Sequence, residues 1–309
     1  MMLQLVADGL ILGSVIALGA IGVTLTYAIL RFANFGHGEL LTWGAYLALT
    51  ALAWFVGLAG GGAMEPIGPL SFGWPLVAAL VVAAAMTAGL ALLLDWALFR
   101  RLRRHGNAIV LVIASFGAAL ALRNMLQFAY GSMPAYYTRE IQIAIRIVPR
   151  DVMGGMRATP DQIFVLALAA VTVVALHLFL TRSTLGKAMR ATAMNPLLAR
   201  VTGIDVEAVV RLTWILGAVL ATIAGVFAGL TGQLRPQLGF ELLLPLFAAA
   251  ILGGIGSVYG AVLGGLIVGL AESLAVPLIG AEYRAAMAFV VIIAILLARP
   301  TGLFGRSER

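Results

Sequence analysis

Runs of about twenty consecutive apolar residues recur along the whole chain. DQIFVLALAAVTVVALHLFLT and AVVRLTWILGAVLATIAGVFAGLTG are two of them, on either side of a polar island. A helix rises about 1.5 Å per residue, so about 20 residues cross the ~30 Å hydrocarbon core of a bilayer. In lipid every backbone N–H and C=O must find a partner inside the protein, so only helices and closed barrels span it. These runs are continuous rather than alternating, which excludes a transmembrane barrel. The composition agrees: 62% of residues are apolar and 11% charged, where soluble domains carry about 25% charge. The expected fold is all-α, a polytopic transmembrane helical bundle of 8–9 membrane segments forming one domain over 1–309.

The expected spans are 5–30, 40–59, 76–99, 108–130, 161–181 and 208–232, then two segments within 242–279 divided by GGIGSVYG (253–260), then 284–298. Arg31, the cluster Arg100, Arg101, Arg103 and Arg104, the group Arg182 to Arg211, and Arg299, Arg306 and Arg309 form the cytoplasmic set. Arg123, Arg139, Arg146, Arg150, Arg157, Arg235 and Arg284 form the outer set. Nine segments, N-terminus out and C-terminus in, require GGIGSVYG to be an inside turn; a re-entrant loop there gives eight. The net charge of +7 sits in short loops, where it sets topology rather than binding nucleic acid. Cysteine is absent, which excludes disulfides and Cys-based metal sites. MMLQLVADG lacks the positive start of a cleavable signal, so the first span is expected to stay. In the outer loop 131–160, Ile141, Ile143, Ile145 and Ile147 alternate, which predicts a strand of a small hairpin. It serves as a cap on the helix ends or as a landing surface for an extracytoplasmic partner.

The polar island 186–207 is longer than a turn needs. Arg182, Lys187, Arg190, Arg200 and Arg211 make it basic. Asn195-Pro196 reads as a helix start, Asn as the cap and Pro at the first helical position. Gly203 follows where a helix end favours φ > 0, and Asp205 and Glu207 suit the start of the next span. One or two short surface helices are expected, a docking handle for a cytosolic partner. Its small residues Ala188, Ala191, Ala199 and Gly203 would let it seat in a groove. Elsewhere, Asn34, His37, Gly38 and Glu39 cluster at a span boundary and predict a polar hinge. His37 and Glu39 diverge on a helix, which argues against a metal site. Gly253, Gly254, Gly256, Gly260 and Gly264 lack a GxxxxGK[ST] frame and fit close helix packing instead. Arg123, Asp95, His177 and Glu272 lie within one or two turns of predicted span ends, where snorkelling is expected; Arg123 and Glu272 are the pathway candidates. No catalytic constellation, nucleotide site or cofactor motif is present, so an enzyme is not expected.

GKAMRATAMNPLLARVTGID resembles the cytoplasmic coupling segment of ABC-importer permeases, and specifically of the branched-chain amino-acid importers, the LivH type. TLTYAILRFANFGHGELLTWGAYLAL (24–49) is similar to that family's N-terminal signature, with Gly36 where many members have Ala. AAAILGGIGSVYGAVLGGLIVGL (248–270) is similar to its Gly-rich C-terminal signature. The resemblance covers nearly the whole chain. It implies a bacterial inner-membrane permease subunit for leucine, isoleucine and valine, with a second related permease, two cytosolic ABC ATPase subunits and an extracytoplasmic binding protein as partners. In that reading Gly186, Lys187, Arg190, Asn195, Pro196, Ala199, Arg200 and Gly203 couple to the ATPase, and Asn34, His37, Gly38 and Glu39 form a gating motif. Ser14, Thr42, Ser115, Asn124 and Ser257 would give the path a weak polarity. Urea, short amides or other amino acids are alternative cargoes. An ion-coupled secondary transporter would need acidic groups at mid-depth and inverted repeats, and a passive channel would leave the island without a purpose.

Overall fold

A computed structural model describes residues 2–59, 65–103, 106–138, 142–149, 155–299 and 301–305. Arg104, Arg139, Ile141, Arg150, Arg306 and Arg309 lie outside the described residues. Helices α1 (Met2–Leu30), α2 (Gly36–Ala59) and α3 (Trp74–Leu94) open the chain. A π turn, Asp95–Phe99, carries α3 into the short α4 (Arg100–Arg103). Then come α5 (Ala108–Tyr130), a hairpin of β1 (Ile145–Val148) and β2 (Met156–Ala158), and α6 (Pro160–Arg182). The island forms α7 (Thr184–Met194) and α8 (Pro196–Val201). The chain closes with α9 (Val206–Thr231), α10 (Leu238–Gly253), α11 (Val258–Ile279) and α12 (Arg284–Ala298). Seven of the described helices are long and apolar enough to cross a membrane, and two shorter apolar ones, Leu238–Gly253 and Ala286–Ala298, accompany them.

Local chemistry sets the ends. Thr159 caps α6 in a reciprocal box with Gln162, and Pro160 occupies the first position. Asn107, Ser257 and Asp205 cap α5, α11 and α9 by a side-chain oxygen that accepts from Ile109 N, Gly260 N and Ala208 N. The predicted strand is real at Ile145–Val148, where it pairs antiparallel with Met156–Ala158.

α1 is the axis of the bundle, with α9 and α2 beside it as the next most buried spans, while α5 and α6 lie at the rim with most of their surface open. Small residues let the helices touch at the backbone. A Cβ on Gly265 or Gly269 would overlap the α1 backbone at Ala17 or Gly13, and one on Gly264 would strike the Ala249 carbonyl of α10. Without a hydrophobic drive between helices in lipid, this close van der Waals contact supplies cohesion. Gly260 and Gly264 both sit at such contacts, against the Gly253 and Ala249 backbones. Gly254 and Gly256 instead turn the chain between α10 and α11 with φ of +95° and +96°, a region only glycine enters freely.

The turn lies beside Ala28 near the end of α1, and Arg31 at that end donates to the Ala193 carbonyl of α7. Leu303 and Phe304 donate to the Leu252 and Gly253 carbonyls, so the last described residues sit there too. At the opposite end Gln4 exchanges hydrogen bonds with the Arg157 backbone of the hairpin. The Gly-rich turn thus shares the island's side, as the nine-segment arrangement requires, and the island's cations assign that side to the cytoplasm.

Candidate coupling surface and polar hinge

The island is built outward from its caps. Ser183 breaks α6 from α7 and accepts from Gly186 N at 2.9 Å. The Asn195 side chain accepts from Leu197 N and Leu198 N, both at 3.0 Å, with Pro196 opening α8. The end of α8 closes through Gly203 N to Arg200 O and Ile204 N to Ala199 O, each 3.0 Å, with Gly203 at φ +86°. Asp205 then starts α9 by accepting from Ala208 N. Every predicted cap is in place.

Two small residues of the island face inward, while Ala188 and Ala191 are half-buried and Gly203 is exposed. Gly186 is buried, and a Cβ there would overlap the Phe179 and Leu180 backbone; Ala199 is buried as well. They seat α7 and α8 on their own bundle rather than in a partner's groove. The outward face instead carries Leu185, Met194, Leu197, Leu198 and Val201, flanked by exposed Lys187, Arg190 and Arg200. An apolar centre ringed by cations is the usual anatomy of a docking patch, and composition alone did not separate its two faces. Arg31, at φ +59°, ties this patch to α1, and α7 also touches α6 and α9.

The hinge motif is deeper than its sequence position suggested. Asn34 caps its own turn by accepting from Gly36 N at 3.0 Å. His37 is fully buried against Gly22 of α1 and Gly217 of α9. Gly38 admits the backbone of α10, because a Cβ there would strike the Gly239 carbonyl. Gly239 N in turn donates to Thr42 Oγ1 at 2.8 Å. Glu39 points toward α5, where Arg123 holds it with Nε at 3.1 Å and Nη2 at 2.9 Å. The same guanidinium lies 4.1 Å over the Phe240 ring of α10. One guanidinium thus joins α5, α2 and α10.

The ionisable residues expected to snorkel pair instead. Asp95 binds Arg103 at 2.5 Å, Glu272 faces Arg284 at 3.3 Å, and His177 Nδ1 meets Tyr259 OH at 2.5 Å. Arg123 and Glu272 do not share a site: the first belongs to the α2–α5–α10 junction, the second to α11 and α12. Of the weakly polar side chains, Ser14 bonds the Ile11 carbonyl, Ser115 accepts from Phe35 N and Ser257 caps α11. Asn124 alone of that group is exposed. α10 is about 24 Å long at 1.5 Å per residue, too short to cross by itself. The irregular segment before it is held by paired bonds between Ala135 and Leu234, each 2.9 Å. Such backbone is tolerated at depth when protein surrounds it, and Leu234 is fully buried.

On the outer side Tyr137 OH donates to the Ala45 carbonyl at 2.8 Å. Burial, with a smaller contribution from Tyr46, pushes its phenol well above the usual range, so it remains a donor.

Comparison with known proteins decides the family. The family described as "Branched-chain amino acid transport system / permease component" matches residues 5–296. The chain belongs to this permease family. The permease is 33% identical over 312 residues to the high-affinity branched-chain amino acid transport system permease protein BraD of Pseudomonas aeruginosa, covering 99% of this chain and 96% of that protein. It is 33% identical over 315 residues to LivH of Escherichia coli, with the same coverage. A probable LivH of Methanocaldococcus jannaschii is 28% identical over 225 residues, covering 72% and 65%. The family consists of transporters rather than enzymes, works with other ABC components, and places this chain as a multi-pass inner-membrane protein.

Proposed function

We propose that the chain is one permease half of an ATP-driven importer carrying leucine, isoleucine and valine into the cell. The names of BraD and LivH support the cargo. A second, related permease covers the open face of α5, two cytosolic ATPase subunits grip the island, and an extracytoplasmic binding protein delivers substrate to the outer side. The observation that carries this reading is the outward face of α7 and α8: exposed Leu197, Leu198 and Val201 beside Lys187, Arg190 and Arg200.

The chain itself has no nucleotide-binding frame, so work must enter through that face. Closure of the ATPase dimer pushes α7 and α8. The Arg31 tether and the contacts of α7 with α6 and α9 pass the push to the spans. At the far end of the same packing, Gly38 on Gly239 and Arg123 on Glu39 and Phe240 hold α2, α5 and α10 together. Separation of that junction opens the path along α5 and α10. The test is charge reversal. Arg190→Glu with Arg200→Glu should lower ATP-dependent leucine uptake by at least tenfold while the membrane level of the protein is unchanged. Unaltered uptake would rule out coupling through this face.

A further inference from the structure

We propose that a pocket on the outer side is a subsite for a primary ammonium group, filled by the amino end of the amino acid on its way in. The choice of amine rests on the import reading above. The cavity has a volume of about 250 Å³ and lies between the outer loop, the start of α6 and the end of α9. Its floor holds Asp161, 5% exposed. That carboxylate accepts from Ser71 N at 3.0 Å, from Gln142 Nε2 at 2.9 Å, and from Ser71 Oγ. All three donors are neutral, and no cation among the described residues pairs with it. The first turn of α6 offers only the partial charge of a helix start, and a buried carboxylate is costly without fuller compensation.

The end of α9 adds to the deficit. Gly229, Leu230 and Thr231 line the cavity there. The last carbonyls of a helix have no partner within it, and that end carries partial negative charge. Among the described residues no backbone N–H from beyond the helix donates to these three carbonyls. A buried carboxylate and the carbonyl end of a helix therefore line one cavity whose donors are all neutral. A primary ammonium brings three N–H donors and one positive charge, which matches that set. A bare metal ion wants oxygens in a closed shell at about 2.3–2.6 Å, whereas this cavity has room for several non-hydrogen atoms. None of the lining residues is a lysine or arginine. An amino acid would enter amine first, its carboxylate left in the outer water and its side chain against Leu230 and Tyr137. Gly229 also packs against Leu234, so the pocket adjoins the segment that leads to Phe240 and Arg123.

The experiment uses the full-length permease in lipid nanodiscs, with binding read by saturation-transfer NMR. The probes are 3-methylbutylamine, L-leucine and 4-methylpentanoate. The amine and leucine should bind and the acid should not. Asp161→Asn should weaken amine binding tenfold or more. Thr231→Lys places a tethered ammonium at the exposed rim with Asp161 intact, and should block the probes even where Asp161→Asn folds poorly. Equal binding of acid and amine, or amine affinity within twofold of wild type in both variants, would overturn the proposal. Displacement of the amine by sodium but not by choline would make this a metal-ion site and overturn it too. ATP-driven leucine uptake without amine binding would remove this inference alone; amine binding without ATP-dependent uptake would remove the importer reading and leave the pocket.

Discussion

The Glu39–Arg123 pair makes a quantitative claim about what holds α2, α5 and α10 together. The Glu39 side chain is 3% exposed and Arg123 16%. Replacing Arg123 with Met leaves the carboxylate buried and unpaired, which costs about 3–5 kcal/mol, and removes the stacking on Phe240, worth about 0.5–2 kcal/mol. Replacing Glu39 with Met costs less, about 2 kcal/mol, because the long arginine stem lets its head reach water or lipid headgroups. The double Met variant carries no unpaired charge and should fall within about 1 kcal/mol of wild type. The coupling energy is then about 4.5 kcal/mol or more. Unfolding in mixed lipid–detergent micelles titrated with SDS measures it. Trp43 is a convenient reporter, since its indole donates to the Leu122 carbonyl next to the pair at 3.1 Å. Single-variant costs that add to within about 0.5 kcal/mol would show that the pair does not act as a unit and would refute the reasoning.

Three further outcomes follow from the same geometry. Leu197→Ser with Val201→Ser should reduce retention of ATPase subunits on purification, with stability unchanged, because both side chains face outward; size-exclusion profiles and subunit ratios check this. Gly264→Val should destabilise by about 1–3 kcal/mol or more through overpacking against the Ala249 carbonyl, whereas Gly117→Ala, which meets nothing within 4 Å, should be neutral or slightly stabilising; thermal unfolding separates them. Tyr137→Phe should cost about 1 kcal/mol through loss of the bond to Ala45. The raised phenol pKa means that this wild-type advantage is full below about pH 10 and declines as pH climbs toward the folded value, which denaturation across pH 7–11 would reveal.

Span positions and the island's caps were legible because they depend on local chemistry: apolar length, Asn195-Pro196, Gly203, Asp205. The pairing of Glu39 with Arg123 was not, since 84 residues separate them and nothing local links them. Nor was the bond of Ser71 to Asp161, 90 residues apart. In a bilayer the outward and inward faces of a span are both apolar, so periodicity does not say which face of α5 meets α2. The same blindness hid the division of the island, where buried Gly186 and Ala199 lie beside exposed Leu197 and Val201. Gly256 belonged to the right glycine series by spacing yet turns the chain, because spacing does not report φ.

The central claim is that this permease works only as part of an ATP-driven assembly gripped at α7 and α8. The most direct measurement is gentle purification of the tagged protein from its own membranes, with co-purifying chains identified and quantified by mass spectrometry. The account predicts a second, related permease and two ATPase subunits, and their loss in the Arg190→Glu, Arg200→Glu variant. A chain recovered alone or only with itself, with no ATPase at any detergent strength, would contradict it.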